Sequence, residues 1–158
     1  MNKKMIISIV VILAVIVIGV VAFFMLKQEP VKTLNIEEAS NTLSNATPFS
    51  EMATMDITSD LLEDVYGINP QNVANVVGKA PMMNVHASMY ILIEAVDGQV
   101  DTVKTELEQY ATNYEQQWER YLPEQYELVQ NRKVGVVGNT VYMIVAENAE
   151  TLEQEITK

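Results

Sequence analysis

The chain has 158 residues, a formal net charge of −11 at pH 7 and no cysteine. Without cysteine the chain has no disulfide bonds and no cysteine-linked lipid anchor. If it carries a small extracellular domain, the lack of disulfide bonds is more typical of a bacterium than of a eukaryotic secretory pathway. The acidic balance argues against nucleic acid or an anionic membrane surface as a partner, because both require a basic patch.

The first 26 residues predict a membrane-spanning helix. Met5 to Leu26 is a run of 22 residues without a charge, and Lys3 and Lys4 precede it. At about 1.5 Å per residue, a helix of this length spans the ~30 Å hydrocarbon core. A cleaved signal peptide has a shorter apolar region. We therefore predict an uncleaved signal anchor over residues 1–26, although cleavage after Ala22 would give a secreted protein.

The rest of the chain predicts a short linker and one extracytoplasmic domain. Residues 27–34 are polar with one proline and read as the linker, and residues 35–158 form the domain. From Lys27 onward there are eight basic and 21 acidic residues, a net charge of −13. Such an acidic surface keeps a domain soluble, and the length is sufficient for one hydrophobic core.

The first half of the domain predicts two helices and a strand. Asn35 to Glu38 resembles a capping box and predicts a helix over about residues 36–46. A second helix is predicted over Thr58–Tyr66, with Gly67 as its left-handed C-cap. β-Branched and aromatic residues from Asn84 to Val96 predict a strand, and residues 73–77 fit either a helical turn or a further strand.

Alternation along this strand sorts its side chains onto two faces. One face holds Val85, Ala87, Met89, Ile91, Ile93 and Ala95. The other face holds His86, Ser88, Tyr90, Leu92 and Glu94. The surface that the sheet exposes around His86, Ser88 and Tyr90 is the predicted binding surface.

The second half begins with the clearest helical pattern of the chain. Apolar residues at spacings of three and four predict a long helix from Val100 to Leu122, which Pro123 ends. A short helix is predicted over Glu124–Asn131. The aromatic residues at this junction fit either a stacking platform for a sugar or peptide or a packed core, and their spacing favours the core. They are Trp118, Tyr121 and Tyr126.

A hairpin and a closing helix complete the domain. Lys133–Val137 and Thr140–Ala146 flank Gly138-Asn139, a dipeptide typical of a two-residue turn. The closing helix is predicted over Asn148–Thr157. This order predicts an α+β fold, in which an antiparallel sheet of about four strands has helices packed on one face, after a single N-terminal transmembrane helix.

No catalytic constellation is recognisable in the sequence. His86 is the only histidine, and Ser88 shares its strand face, but neighbouring side chains project side by side from a sheet. The chain has no Gly-x-Ser-x-Gly elbow and no phosphate-binding glycine loop. We predict that it is not an enzyme, with a cell-envelope hydrolase as a remote alternative. Glu94, inside an apolar strand, should lie at a sheet edge or have a partner.

The segment around His86 also offers donors for a soft metal ion. Met82, Met83 and His86 combine thioether and imidazole groups, which suit Cu(I). On a strand only Met82 shares the face of His86, and methionine packing in a core is far commoner than a metal site. Further thioether ligands would have to come from elsewhere in the fold: Met52 and Met55.

Several blocks of the chain resemble a known family. YGINPQNV, KAPMMNVHA, AVDGQVDTVKTELE, QWERYLPEQYELV and GNTVYMIV follow this order in the domain of unknown function 4358 family, which comprises small anchored extracytoplasmic proteins of Gram-positive bacteria. The resemblance covers about Thr58 to Glu150. It implies an anchored single domain and supplies no activity, cofactor or catalytic residue. Because this chain lacks the lipid-anchor cysteine of some relatives, a membrane helix would tether it.

These observations favour a non-enzymatic, membrane-anchored extracytoplasmic domain that uses no cofactor. It would lie at the cell membrane as a single-pass protein with its C-terminal domain outside. Its partner would be a protein, a peptide or a cell-wall component. The alternative is a metal or small ligand at Met82, Met83 and His86.

Overall fold

The computed structural model describes residues 33–158. The predicted signal anchor over residues 1–26 lies outside this range, as do all but the last two residues of the predicted linker. Within residues 33–158, no helix is both long and apolar enough to cross a membrane. Thr33–Lys158 forms one compact unit.

The described residues form the predicted helices and strands in the predicted order, with a short strand, Thr54–Asp56, in addition. The helices are α1 (Ile36–Asn45), α2 (Leu62–Tyr66), α3 (Val100–Trp118), α4 (Pro123–Gln130) and α5 (Ala149–Ile156). The strands are β1 (Thr54–Asp56), β2 (Val73–Pro81), β3 (Met89–Ala95), β4 (Lys133–Val137) and β5 (Thr140–Val145). Single 3-10 turns precede α2 and β2.

The strands form one antiparallel sheet in the order β1-β2-β3-β5-β4. The predicted α+β class, the antiparallel sheet and the β4–β5 hairpin are confirmed. Among the described residues the sheet has five strands rather than about four. The additional pairing joins Thr54–Asp56 to Lys79–Pro81, where the local sequence is compatible with either strand or loop.

Helices cover both faces of the sheet, so the prediction of helices on one face is wrong. Met89, Ile91 and Ile93 of β3 belong to a core with residues of α2, α3 and α4. Tyr90 and Leu92 belong to a second core with residues of α1 and α5. The near-continuous apolar run of β3 is what a strand buried on both faces requires.

The helix ends follow from local sequence. Asn35 caps α1, because its Oδ1 accepts from the backbone N–H groups of Glu37 (3.2 Å) and Glu38 (3.1 Å). Gly67 ends α2 at a φ of 65°, as predicted. Helix α3 ends at Trp118 rather than Leu122. Leu122 is extended because it precedes a proline, and Pro123 begins α4 instead of merely ending α3.

Glu94 has a partner, as an acid in an apolar strand requires. It lies at the end of β3, where Asn139 of the hairpin turn donates from Nδ2 to Glu94 Oε1 at 3.1 Å. Gly138 takes the positive φ of 61° that the turn needs. The hairpin turn therefore also supplies the hydrogen-bond partner of Glu94, the acidic residue of the central strand β3.

Candidate ligand-binding groove

The β2–β3 loop, residues 82–88, is held by contacts that replace strand pairing. The sequence predicts a strand from Asn84, but β3 begins at Met89. The backbone N–H of Ala87 donates to Gln125 Oε1 of α4 at 2.7 Å, and its carbonyl accepts from the Tyr114 hydroxyl of α3 at 3.0 Å. Because side chains satisfy both backbone groups of Ala87, this segment needs no neighbouring strand.

This loop forms one wall of a groove of about 620 Å³, which we call the main groove. The other walls are the segment after α1, helix α4 and the turn after β5. The lining residues with polar or sulfur-containing side chains that matter below are Glu51, Met52, Met83, His86, Ser88 and Glu147. Four segments distant in the sequence therefore meet at this site.

A second groove of about 470 Å³ adjoins the main groove along α4. The two have Gln125, Leu128 and Glu147 in common. The second groove adds two further carboxylates, Glu124 and Glu127. The grooves thus form a path along one side of α4.

The structure separates the three residues of the predicted binding surface. His86 is half-buried and Ser88 is 6% exposed, and both line the main groove. Tyr90 is fully buried, so its predicted exposure is wrong. Its hydroxyl donates to the Ser40 carbonyl at 3.2 Å, and its ring packs edge-on against Phe49. Burial raises the pKa of the Tyr90 hydroxyl. Helix α1 covers the sheet face that the prediction left open.

Two polar groups in the main groove lack partners among the described residues. The Ser88 hydroxyl and the His86 imidazole form no hydrogen bond within residues 33–158, to each other or to any other group. Ser88 is a buried residue, but its hydroxyl reaches the groove, because among the described residues the fully buried side-chain oxygen without a partner is Thr140 Oγ1. A ligand in the groove would supply a hydrogen-bond partner for Ser88.

The charged side chains of the main groove are acidic. Glu51 and Glu147 line it, and the adjoining groove adds Glu124 and Glu127. No Lys or Arg is among the lining residues described for either groove. All four carboxylates are exposed, so the path along α4 is negatively charged.

The fold brings two of the methionines considered in the sequence, Met83 and Met52, to His86. Met83 and Met52 line the main groove with His86, whereas Met82 is 66% exposed and does not. The strand geometry that separates Met83 from His86 does not apply, because the His86 N–H bonds back to the Met83 carbonyl in a turn. Within residues 33–158, no three His, Cys, Asp or Glu side chains are grouped to hold a metal ion.

The aromatic residues at the α3–α4 junction mainly form core. Trp118 is 6% exposed, and Tyr126 packs against the same core. Tyr121 is 53% exposed. Neighbouring rings lie 4.9 to 6.1 Å apart, centroid to centroid, along one row: Tyr66, Tyr110, Tyr114, Trp118 and Tyr121. The core interpretation is therefore right for Trp118 and Tyr126, and Tyr121 is the exception.

The sequence profile of one protein family matches residues 48–146, more than half of the chain. The chain belongs to the domain of unknown function family DUF4358. This confirms the resemblance found in the sequence. Comparisons with curated proteins and with solved structures find no match.

The DUF4358 match includes most of the main groove. Met52, Met83, His86, Ser88 and Gln125 fall inside the matched residues, whereas Glu147 lies just beyond the end. Sequence reasoning singled out His86 and Ser88 but missed Gln125 and the groove carboxylates. An isolated Gln or Glu on a helix or in a turn has no local pattern that distinguishes it from a solvated surface residue.

Proposed function

We propose that this DUF4358 protein is a non-enzymatic, membrane-anchored extracytoplasmic domain that binds its partner in the main groove. The observation that carries the proposal is the convergence of Ser88 and His86, both without a partner among the described residues, with the methionines Met52 and Met83. A concave site with apolar walls and a few convergent polar groups is the usual form of a ligand site.

The location rests on the sequence. The apolar run Met5–Leu26 is long enough to span a bilayer. Lys3 and Lys4 precede it, and a short positively charged segment before an apolar run is typical of an export signal. The described domain starts a few residues later. We therefore place residues 33–158 outside the cell, attached to the membrane, where the groove would meet an envelope protein, a peptide or a wall component.

Binding is favoured over catalysis by the geometry around His86. A serine nucleophile requires a hydrogen-bonded base, which a third group orients. Within residues 33–158, His86 and Ser88 form no such hydrogen bond. The two carboxylates of the main groove, Glu51 and Glu147, are exposed, and within residues 33–158 neither forms a hydrogen bond or an ion pair with the imidazole. This supports recognition rather than hydrolysis.

The proposal can be tested by a substitution whose side chain occupies the main groove and blocks the partner. Ala53 is exposed and lines the main groove, so Ala53→Trp places an indole there without removing a backbone hydrogen bond. Ala74→Trp is the matched control, because Ala74 is also an exposed alanine but lies near the start of β2. We expect the full chain and Ala74→Trp to crosslink to the same partner in native membranes, and Ala53→Trp to lose it. Equal crosslinking by all three would contradict the proposal.

A second candidate function is soft-metal binding in the same groove. The observation that favours it is that Met52, Met83 and His86 line one groove, with two thioethers and one imidazole. These donors suit Cu(I). Titration of the full chain with Cu(I) under reducing conditions should show saturable binding that Met52→Leu/Met83→Leu removes. The control Met55→Leu/Met82→Leu changes two exposed methionines outside the groove. No saturable binding, or equal loss in both variants, would exclude this candidate.

A further inference from the structure

We infer that the occupant of the main groove is a cationic peptide segment in which Lys or Arg alternates with aliphatic residues. This inference rests on the proposed binding function and specifies its ligand. The structure supports it by the charge of the path along α4, by the hydroxyl of Ser88, which faces the groove and has no partner among the described residues, and by the methionines of the groove wall.

The negative charge of the path along α4 favours a cationic ligand. Glu51 and Glu147 lie in the main groove, and Glu124 and Glu127 continue the acidic lining along α4. Carboxylates of one sign in a concave surface raise the local concentration of an oppositely charged partner. A peptide with Lys or Arg at intervals would meet a carboxylate at several points of this path.

The domain has few cations of its own to neutralise these carboxylates. Four of the ten Lys and Arg residues and one of the 21 acidic residues precede residue 33, which leaves six cations and 20 carboxylates. Four of the six cations are already in ion pairs, which do not involve the groove carboxylates. The pairs are Lys79–Asp56, Lys104–Glu108, Arg132–Glu115 and Lys133–Glu150.

The second observation is independent of charge. Ser88 is 6% exposed, lines the main groove and has a hydroxyl without a partner in residues 33–158. A peptide backbone offers both a donor and an acceptor to such a hydroxyl at every residue. The neighbouring Gln125 already uses its Oε1 for Ala87, so its amide N–H groups are the part left for a ligand.

The apolar wall determines the side chains between the cations. Met52 and Met83 are flexible and polarizable, and such side chains adapt to aliphatic groups of varied shape. Among the described lining residues there is no Phe, Tyr or Trp, and the His86 imidazole is the one aromatic ring. An aliphatic side chain next to a Lys or Arg therefore fits the methionines and carboxylates of the groove better than an anionic ligand does.

The experiment compares short labelled peptides on the full chain in nanodiscs of uncharged lipid, with empty nanodiscs as the blank. We expect a Lys–Leu repeat to bind saturably in fluorescence anisotropy and a Glu–Leu repeat not to bind. Glu51→Gln/Glu147→Gln should weaken the Lys–Leu affinity by about tenfold, because each lost pair of exposed charges weakens binding by about threefold. Added salt should weaken it as well.

The matched control is Glu63→Gln/Asp64→Asn, which makes the same change in net charge on α2, away from both grooves. We expect this control to bind like the unmodified chain. Equal weakening in both double variants, or no binding of the Lys–Leu repeat, would overturn the cationic ligand. The proposed function would still stand if Ala53→Trp abolished crosslinking in native membranes. Unchanged crosslinking in that variant would overturn both proposals.

Discussion

At the scale of single residues, Ala87 is the position that fixes the groove. Its N–H donates to Gln125 and its carbonyl accepts from Tyr114, at 2.7 and 3.0 Å. His86 and Ser88, one residue to each side, are thereby placed in the groove wall. Both hydrogen bonds use the backbone of Ala87 and not its side chain, so no side-chain pattern in the sequence indicates them.

Thr140 illustrates a polar group that the fold leaves without a partner. It is 1% exposed, and its Oγ1 has no hydrogen-bond partner among the described residues. Thr140→Val should therefore raise the free energy of unfolding by about 1 kcal/mol, because the desolvation cost of the hydroxyl disappears. Urea unfolding followed by the fluorescence of Trp118 measures this. Thr140→Ser, which keeps the hydroxyl and loses a methyl group, should lower stability instead, and the reverse order would contradict the account.

Gly135 in β4 is required because the ring of Tyr142 lies over it. A Cβ at position 135 would overlap the Tyr142 hydroxyl and ring carbons. Gly135→Ala should therefore lower the free energy of unfolding by about 2 kcal/mol through overpacking, and it should disturb the Tyr142 hydrogen bond to Glu153. In the Tyr142→Leu background the same substitution should cost less. Equal cost in both backgrounds, measured by urea unfolding, would show that Tyr142 is not the cause.

At the scale of elements, helix α3 both supports the sheet and holds the groove loop. Val103, Leu107 and Ala111 pack on β3 and β5 as part of one core, and Tyr114 reaches the β2–β3 loop. The apolar periodicity predicts the helix and its buried face, since both are local properties. It does not predict that Tyr114 hydrogen-bonds to residue 87, because that contact depends on how the loop folds.

Removing the Tyr114 hydroxyl should loosen the groove loop. Tyr114→Phe leaves the buried Ala87 carbonyl without its partner, which should lower the free energy of unfolding by about 1–2 kcal/mol. Amide hydrogen exchange of residues 86–88 should become faster. The control is Tyr121→Phe in the turn after α3, where the side chain is 53% exposed. If both variants left exchange in the loop unchanged, the hydrogen bond would not position the groove.

Three tyrosines on α2 and α3, Tyr66, Tyr110 and Tyr114, should make the stability of the fold decrease at alkaline pH. Burial raises the pKa of Tyr66 and of Tyr114 to about 12, and it raises the pKa of Tyr110 further. Their unfolded pKa is near 10, so the folded state keeps protons that the unfolded state loses. Stability is therefore complete below pH 10 and falls as the pH rises from about 10 to about 12.

Tyr66→Phe tests this pH dependence. The variant lacks one of the raised tyrosines, so its urea midpoint should fall less than that of the unmodified chain as the pH rises from about 10 to about 12. The control Tyr121→Phe should follow the unmodified chain, because Tyr121 is largely exposed. Parallel profiles for the unmodified chain and Tyr66→Phe would contradict the assignment.

At the scale of the whole molecule, the local parts of the fold could be predicted and the long-range parts could not. The Asn35 cap, the Gly67 C-cap and the Gly138 turn each depend on a few neighbouring residues, and all were predicted. The cover on both faces of the sheet depends on where α1 and α5 dock. For this reason Tyr90 was expected at the surface but lies in the second core.

The candidate site also combines residues that the local sequence indicates with residues that only the long-range fold brings in. His86 and Ser88 could be selected because they are the polar groups of an apolar segment, and the structure places both in one groove. Met52, Gln125 and Glu147 join them from three other parts of the chain. Residues separated by up to about a hundred positions meet there only after the sheet has formed, so no spacing in the sequence indicates the complete site.

The most direct measurement is an NMR titration of the isotopically labelled full chain in nanodiscs with the Lys–Leu repeat. If the main groove is the binding site, the amide resonances of residues 83–88 and of Glu147 should shift and reach saturation. Those of Val65 and Val136, which are exposed but lie outside both grooves, should stay in place. Saturable shifts centred on Val65 or Val136, or no saturable shift in the groove, would contradict the account.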